Sequence, residues 1–531
     1  MKIEVKIQFK FLFFLFAFLV CFVNCTKAVY KNEVINLSAN YLKNHALESH
    51  RAYCIRKKID LNGKTLNIPE QCSLVYEKGF FYNGEIKLNN TLLKGNIKFC
   101  CKTTGKVLND TIKVDWFKYK GCVLADVFAM SQNKNILFGE NKRYLIDYVL
   151  LIPTCKILGN GSIIEWACSS GIIDKKSLEK IKNEHYDGGG VDSISIENLI
   201  SRSQADYVFL FNLQNTRNCI IRNCSFTCRG NGLLCSHAVD LRGNNYNTVF
   251  ENCTFANEAD AKVGGGLWIR SFGVIKDVTI KECGFYNNST DEVFALNATV
   301  CDISNVQIID SHFTYRKGKE CPEPQVMWGM TYDKGMINNF SIKNSKLVSN
   351  FIPAYVLNIG KAENVIVEGC SFEFKDALLN GYGINTTAFN GKVDFIKNRV
   401  VINNITHQNE MTTLTLFHPY AAVSESLIEN NCSKVFLGGP KMFKTDVIFD
   451  NSELFNGRIP TIMEECKIQL GSGTPREAAN PYAQNEDCYW SNNTILSDKP
   501  VEFLFTYKNE YLQYKNNHTL NVKIKGTPFK R

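Results

Sequence analysis

The sequence predicts an all-β fold in which the chain winds into a solenoid of stacked coils. Two observations favour this fold: a repeat runs from Asn218 to Phe372, and each copy alternates apolar and polar residues without a helical stripe. The copies end at Phe226, Phe255, Phe285, Phe313, Leu347 and Phe372. Consecutive ends are 25 to 34 residues apart, and a period-2 pattern repeated at this length is typical of β-solenoids.

Four columns of the repeat are apolar or small in every copy. The column two residues before each end holds Cys224, Cys253, Cys283, Ser311, Ser345 and Cys370. Because side chains of a strand alternate between its faces, we expect these columns to face inward and to stack from coil to coil. The cysteines then act as small apolar fillers, so we predict packed thiols in this column.

A polar column three residues before each end predicts a corner between two strands. It holds Asn223, Asn252, Glu282, Asp310, Asn344 and Gly369. A second polar column, eight residues before each end, is Asn in all copies but one, where it is Asp277. Asn tolerates left-handed backbone, and its amide can hydrogen-bond the same residue of the next coil.

This pattern resembles the right-handed parallel β-helix of the pectate-lyase-like superfamily, in which each coil has three strands and asparagines line a tight turn. The resemblance covers roughly Val29 to Leu454 and concerns the fold. The superfamily includes pectate lyases, polygalacturonases, other polysaccharide lyases, phage tailspikes and non-catalytic surface proteins. The resemblance therefore implies a surface that meets a long polymer, or one that only displays loops.

The first 25 residues are predicted to be a signal peptide. Three lysines precede the apolar run Phe11 to Val23, whose 13 residues are too few for a membrane span. We therefore expect an exported protein that is secreted or held at the cell surface or in the periplasm. Cys21 and Cys25 leave a lipid anchor open.

Three further segments follow. Residues 26–121 are strand-rich and predict an N-terminal cap or early coils, residues 122–455 the parallel β-helix, and residues 456–531 a C-terminal cap or a small β unit. We expect a short helix from Asp126 to Lys134. Cys321, Cys466 and Cys488 lie in loops or in the tail and are candidates for disulfides.

The composition and the net charge limit which kinds of partner and cofactor we expect. Apolar residues make up 45% of the 531 residues, which suffices for a core, and the net charge of +9 is scattered along the chain. We expect a solvated surface and no nucleic-acid partner. No cysteine or histidine spacing is typical of a zinc site, so no cofactor is predicted, although Ca²⁺ dependence and the oligomeric state stay open.

The second strand of each coil offers a candidate binding face. Alternation predicts that Val239, Leu241, Leu267, Ile269, Phe294 and Leu296 face inward. The residues between them then form an exposed stripe of Asp240, Arg242, Trp268, Arg270 and Asn297, with Trp328 nearby on the next coil.

Such a stripe suits an acidic sugar polymer. A Trp offers a flat apolar face to a pyranose ring, and an Arg pairs a uronate carboxylate through two hydrogen bonds. We therefore predict substrate binding by Asp240, Trp268, Asn297 and Trp328. In a lyase, His237, Arg242 or Arg270 would neutralise the carboxylate or remove the neighbouring proton. The alternative is that Asp240 and Arg242 pair with neighbours and Trp268 packs beneath a loop.

Catalytic motifs that the resemblance would imply are missing. Polygalacturonases share three clustered Asp residues, a Gly-His-Gly and an Arg-x-Lys, and the nearest match to the His motif here is Ser236-His-Ala238. The sequence thus leaves two hypotheses. The first is an exported β-helix that binds an acidic polysaccharide, with or without cleaving it as a lyase or glycosidase, and the second is a non-catalytic surface or adhesion protein. The signal sequence argues against a phage tailspike.

Overall fold

The computed structural model describes residues 34–146, 150–166, 170–174, 193–203, 209–228, 236–258, 264–270, 273–287, 294–298, 300–316, 325–331, 335–351, 355–359, 362–378, 387–390, 393–403, 414–418, 420–432, 435–449, 460–471, 477–478, 488–505 and 512–526. They form two compact units, Met1–Met130 and Ser131–Arg531. The predicted signal peptide and Cys321 lie outside the described residues. No helix within the described ranges is long and apolar enough to cross a membrane.

The first unit is built mainly of parallel strands. Its helices are α1 (Ala39–Asn44), a 3₁₀ turn (Val114–Trp116) and α2 (Val123–Met130). Its strands, numbered along the chain, are β1 (Ile35–Leu37), β2 (Ala52–Ile55), β3 (Ile59–Asp60), β4 (Thr65–Asn67), β5 (Ser73–Tyr76), β6 (Phe81–Gly95), β7 (Phe99–Val107) and β8 (Thr111–Lys113). The helix expected at Asp126–Lys134 thus exists but begins and ends earlier.

Short coils also build this first unit. Ile59 pairs with Phe81, Phe81 with Phe99, and Phe99 bridges Phe117, all in parallel. Phe81, Phe99 and Phe117 are buried, and the last two rings lie 5.1 Å apart. Whether residues 26–121 are an N-terminal cap or early coils of the β-helix stays a prediction.

The second unit contains two sheets. The eleven-strand sheet comprises β11 (Leu150–Ile152), β13 (Ser170–Asp174), β15 (Phe209–Gln214), β18 (Ser236–Arg242), β21 (Gly264–Arg270), β24 (Phe294–Ala298), β27 (Gln325–Thr331), β30 (Tyr355–Ile359), β34 (Thr387–Asn390), β37 (Leu414–Phe417) and β40 (Val435–Gly438). The paired-strand sheet takes two strands from most coils.

The strands of the paired-strand sheet are β9 (Lys134–Leu137), β10 (Arg143–Ile146), β12 (Cys155–Trp166), β14 (Ser195–Ser203), β16 (Arg217–Arg222), β17 (Ser225–Cys228), β19 (Asn245–Glu251), β20 (Thr254–Asn257), β22 (Ile275–Lys281), β23 (Gly284–Asn287), β25 (Ile303–Ile309), β26 (His312–Tyr315), β28 (Ile337–Lys343), β29 (Lys346–Phe351), β31 (Ala362–Glu363), β32 (Val365–Glu368), β33 (Ser371–Leu378), β35 (Val393–Ile396), β36 (Arg399–Asn403), β38 (Ala422–Ser424), β39 (Leu427–Asn430), β41 (Lys441–Phe443), β42 (Asp446–Phe449), β43 (Ile462–Glu464), β44 (Lys467–Leu470), β45 (Glu477–Ala478), β46 (Cys488–Ser491), β47 (Thr494–Phe505), β48 (Leu512–Lys515) and β49 (His518–Gly526).

Each regular coil contributes three strands, for example β16, β17 and β18. Every strand pairs in parallel with its equivalent one coil later, as β16 does with β19, β17 with β20 and β18 with β21. This register confirms the predicted parallel β-helix. The closing phenylalanines stack along its interior, with ring centroids 5.0 Å apart between Phe255 and Phe285 and 4.6 Å apart between Phe285 and Phe313.

Both polar columns adopt the left-handed backbone that their composition predicts. Asn223 and Asn252 have φ of 51° and 50°, and the Asn252 amide donates to the Asn223 carbonyl oxygen at 2.7 Å. In the second column, Asn339 donates to Asn305 at 3.0 Å. These ladders lie on the surface, so their amide bonds fix the register of neighbouring coils without entering the core.

The cysteine column is buried and its thiols are free, as predicted. Cys224, Cys253, Cys283 and Cys370 each expose 3% of their surface or less and form no disulfide. The side chains of this column, which also includes Ser311 and Ser345, do not only fill space, because several of them accept backbone N–H groups of the preceding coil. The N–H of Cys283 donates to Ser311 Oγ at 3.2 Å.

The coils continue where the sequence pattern fades. Residues Lys397, Glu425, Lys444, Glu465, Asn492 and Asn516 all have positive φ at successive corners. β44 pairs in parallel with β42, β47 with β44, and β49 with β47. Where we expected a cap or small β unit over 456–531, the described strands therefore extend the same solenoid. Cys466, a candidate for a disulfide, is a free, buried member of the cysteine column.

Candidate functional site

The candidate face is the outer side of the eleven-strand sheet at β18, β21, β24 and β27. The six residues predicted to face inward on β18, β21 and β24 are all buried, with at most 1% of each exposed. This confirms the alternation on which the stripe depends. The residues that alternate with these six lie on the opposite face of the sheet.

Strand register arranges the predicted residues in two rows. In the tryptophan row, Asp240 pairs with Trp268, Trp268 with Ala295, and Ala295 with Trp328. Trp268 and Trp328 are therefore two coils apart, roughly 10 Å along the axis. Ala295, which the sequence reading passed over, separates them.

The second row carries the charges. Arg242 pairs with Arg270, and Arg270 pairs with Asn297. Arg242 and Asn297 are partly exposed, whereas the side chains of Trp268, Arg270 and Trp328 lie outside the described part. Paired positions on adjacent strands are close neighbours on one face of a sheet. We call these two rows together the Trp–Arg face.

Asp240 departs from the expectation of an exposed stripe. Its residue is 0% exposed, so it cannot make open contact with a polymer in this conformation. Ala238 and Ala295 on the same side of the sheet are also buried. The face is therefore covered at these positions. For Asp240, burial agrees better with the alternative that its side chain pairs with neighbouring residues than with exposure to solvent.

His237 does not belong to either row. It pairs with Phe209 and Gly265 and lies two residues before the inward-facing Val239. Its position in the strand thus differs in parity from those of Asp240 and Arg242. This register therefore does not support the predicted role of His237 in removing a proton beside the arginines.

Buried asparagines fix the end of β18 at Arg242. The Asn245 amide donates to the Arg242 carbonyl oxygen at 2.7 Å, and the Asn245 carbonyl oxygen accepts from Thr216 Oγ1 at 2.7 Å. The backbone N–H of Asn215 also donates to the Arg242 carbonyl at 3.3 Å. Because Asn245 is fully buried, this network holds the backbone of the arginine row rigidly.

A second concave feature follows the asparagine corner near the start of the second unit. It is a shallow groove of about 570 Å³ lined by Glu140, Asn141, Asn160, Gly161, Asn198, Ile200 and Asn223. Its amides can both donate to and accept from the hydroxyl groups of a ligand. Within the described ranges, no group of three or more His, Cys, Asp or Glu side chains is placed to hold a metal ion.

No protein-family model and no curated protein matches the chain. Among solved structures, it is similar to a mutant tailspike protein of E. coli bacteriophage HK620 in complex with a hexasaccharide (10% identity, 92% of this chain and 75% of that chain, TM-score 0.32). It is also similar to PfbA, a surface adhesin of Streptococcus pneumoniae (13% identity, 70% and 85% coverage, TM-score 0.33).

A third similar structure is the A-module of the Azotobacter vinelandii mannuronan C-5 epimerase AlgE4 (12% identity, 86% and 89% coverage, TM-score 0.24). Identities and TM-scores this low carry no argument about the site. The parallel pairing of three strands per coil is what decides the fold. By that register, the chain folds as a parallel β-helix.

Proposed function

We propose that the protein is an exported β-helix protein that binds an acidic polysaccharide across the Trp–Arg face. The observation that carries this proposal is the register of two rows. Arg242 pairs with Arg270, and this row lies two residues further along the strands than the row that contains Trp268 and Trp328. An arginine guanidinium binds a uronate carboxylate through paired hydrogen bonds, so two arginine positions in register suit a polymer of uronates.

The tryptophans supply the complementary contact. The positions of Trp268 and Trp328 lie in one row, two coils apart, and an indole ring suits the apolar face of a pyranose ring. The coil spacing then sets the period at which the polymer is contacted. In this proposal Asn297 hydrogen-bonds sugar hydroxyls, whereas the buried Asp240 does not contact the polymer and has a structural role beneath the face.

We propose binding without cleavage as the primary activity. Lyase or glycosidase chemistry requires a positioned base or a pair of carboxylates. His237 is off the rows and Asp240 is buried, so neither favours such a role. The non-catalytic surface protein, our second hypothesis from the sequence, thus merges with the binding hypothesis.

The test uses a panel of uronate polymers, with and without Ca²⁺. Affinity electrophoresis measures binding, absorbance near 235 nm measures unsaturated lyase product, and a reducing-sugar assay measures hydrolysis. We expect retardation by at least one uronate polymer and no product. Product formation would assign an enzyme, and absence of retardation by every polymer would reject the proposal.

A further inference from the structure

The first unit carries a cluster of two lysines around one phenylalanine. Lys58 Nζ lies 5.5 Å from the ring centroid of Phe80, and Lys98 Nζ lies 4.7 Å from it. Both distances are within the range of a cation–π interaction. Both lysines are exposed and Phe80 is half-buried, so the ring holds two ammonium groups at the surface. We call these three residues the Lys–Phe–Lys cluster.

Strand register explains why the three residues meet. Ile59 pairs with Phe81 and Phe81 with Phe99, so the residues just before them lie on three successive coils. The two lysines are therefore about 10 Å apart along the coil axis, with the ring between them. The buried Phe81 and Phe99 beneath them make this a rigid arrangement.

The positive charge of the cluster is not neutralised by the carboxylates around it. Within the described part of the chain, neither Lys58 nor Lys98 forms an ion pair. The nearby Glu77 accepts from Arg56 at 2.9 Å. Asp60 accepts from the backbone N–H of Asn62 at 2.8 Å, and this bond is the main cause that lowers the pKa of Asp60. Neither carboxylate forms an ion pair with Lys58 or Lys98 in the described part of the chain.

We propose that the Lys–Phe–Lys cluster is an anion-binding site for the carboxylates of an acidic polysaccharide. A polymer with regularly spaced negative charges can meet both ammonium groups at once, and their fixed spacing reduces the entropy lost on binding. The lysines occupy the approaches to the Phe80 ring, which disfavours the base stacking that single-stranded nucleic acid requires. The half-buried ring also does not protrude as a membrane anchor would. The site depends on its own residues and not on the Trp–Arg face.

The test places 4-fluorophenylalanine at position 80 of the full chain and follows its ¹⁹F resonance. Polygalacturonate is expected to shift the resonance saturably, neutral dextran is expected not to, and the shift should weaken with added salt. The variant Lys58→Gln/Lys98→Gln should bind at least about tenfold more weakly at this site. The matched variant Lys87→Gln/Lys102→Gln removes two exposed charges from neighbouring strands and should stay within about twofold of the parent.

Three results would overturn the proposal: no shift with polygalacturonate, an equal loss in the matched variant, or a shift only with polyuridylate or phosphatidylserine vesicles. Because the fluorine reports on Phe80 alone, the outcome is separate from the Trp–Arg face. Trp268→Ala/Arg270→Ala is expected to leave the ¹⁹F shift unchanged, whether or not that face binds polymer.

Discussion

The side chain of Asn398 accepts the backbone N–H of Cys370, one coil earlier, at 2.7 Å. The same amide donates to the Val367 carbonyl at 2.8 Å, and the backbone N–H of Asn398 donates to Ser426 Oγ at 3.0 Å. Only 2% of Asn398 is exposed. At these corners, one small polar side chain therefore accepts the backbone N–H that has no partner in the sheet.

Asn398→Ala should lower the free energy of unfolding by about 3 kcal/mol, because a buried N–H and a buried carbonyl lose their partners. Asn398→Ser should cost less, since Ser311 and Ser345 fill the same column elsewhere and each accepts a backbone N–H. Urea unfolding of the three proteins measures the order. Equal losses for Ala and Ser would contradict the role of the side chain as an acceptor.

The column thiols should resist alkylation in the folded protein. Cys224 and Cys253 are buried, whereas Cys122 is exposed. Iodoacetamide followed by peptide mass spectrometry should label Cys122 within minutes and the two column residues only after denaturation. Labelling of Cys253 at the rate of Cys122 under native conditions would show that the column opens or that the coils are not stacked as described.

Stability should fall as pH rises above 9. Burial raises the pKa of Cys370 to about 11 from the ordinary value of 9.0. Between these values the unfolded chain loses a proton that the folded chain keeps, so each pH unit costs about 1.4 kcal/mol for this thiol. Stability from this group is complete below pH 9 and is lost by about pH 11.

Cys370→Ser removes this titrating group and replaces it with a slightly smaller side chain of the same branching, which Ser311 and Ser345 already supply in this column. Urea unfolding at pH 8, 9, 10 and 11 should show a shallower decline for the variant than for the parent. Identical slopes would show that the thiol ionises equally in both states, which the burial of Cys370 does not allow.

The sequence predicts the fold well wherever side-chain size is constrained. The apolar alternation and the asparagine corners between Asn218 and Phe372 reflect the interior and the left-handed turns directly. Beyond Phe372 the corners become Lys397 and Glu425, whose identities do not report a positive φ, so the pattern fades although the coils continue. The first unit has asparagines with positive φ at Asn62, Asn83 and Asn90, but its strands do not follow the spacing of the repeat.

The candidate site was less predictable. Alternation separates the two faces of β18 but cannot tell which outward residue is covered, so the burial of Asp240 was not expected. Register also depends on loop length, and the position of Trp328 opposite Ala295 was therefore uncertain from sequence. The Lys–Phe–Lys cluster joins residues 40 positions apart in coils that the repeat did not reveal.

The most direct measurement of the central claim is the affinity of the full chain for the uronate polymer that retards it most, compared with that of Trp268→Ala/Arg270→Ala. Tyr489→Ala, which removes an exposed aromatic residue from the paired-strand sheet, serves as the control. We predict at least a tenfold loss for the double variant, an unchanged urea midpoint, and parental affinity for the control. Full affinity in the folded double variant would contradict the assignment of the Trp–Arg face.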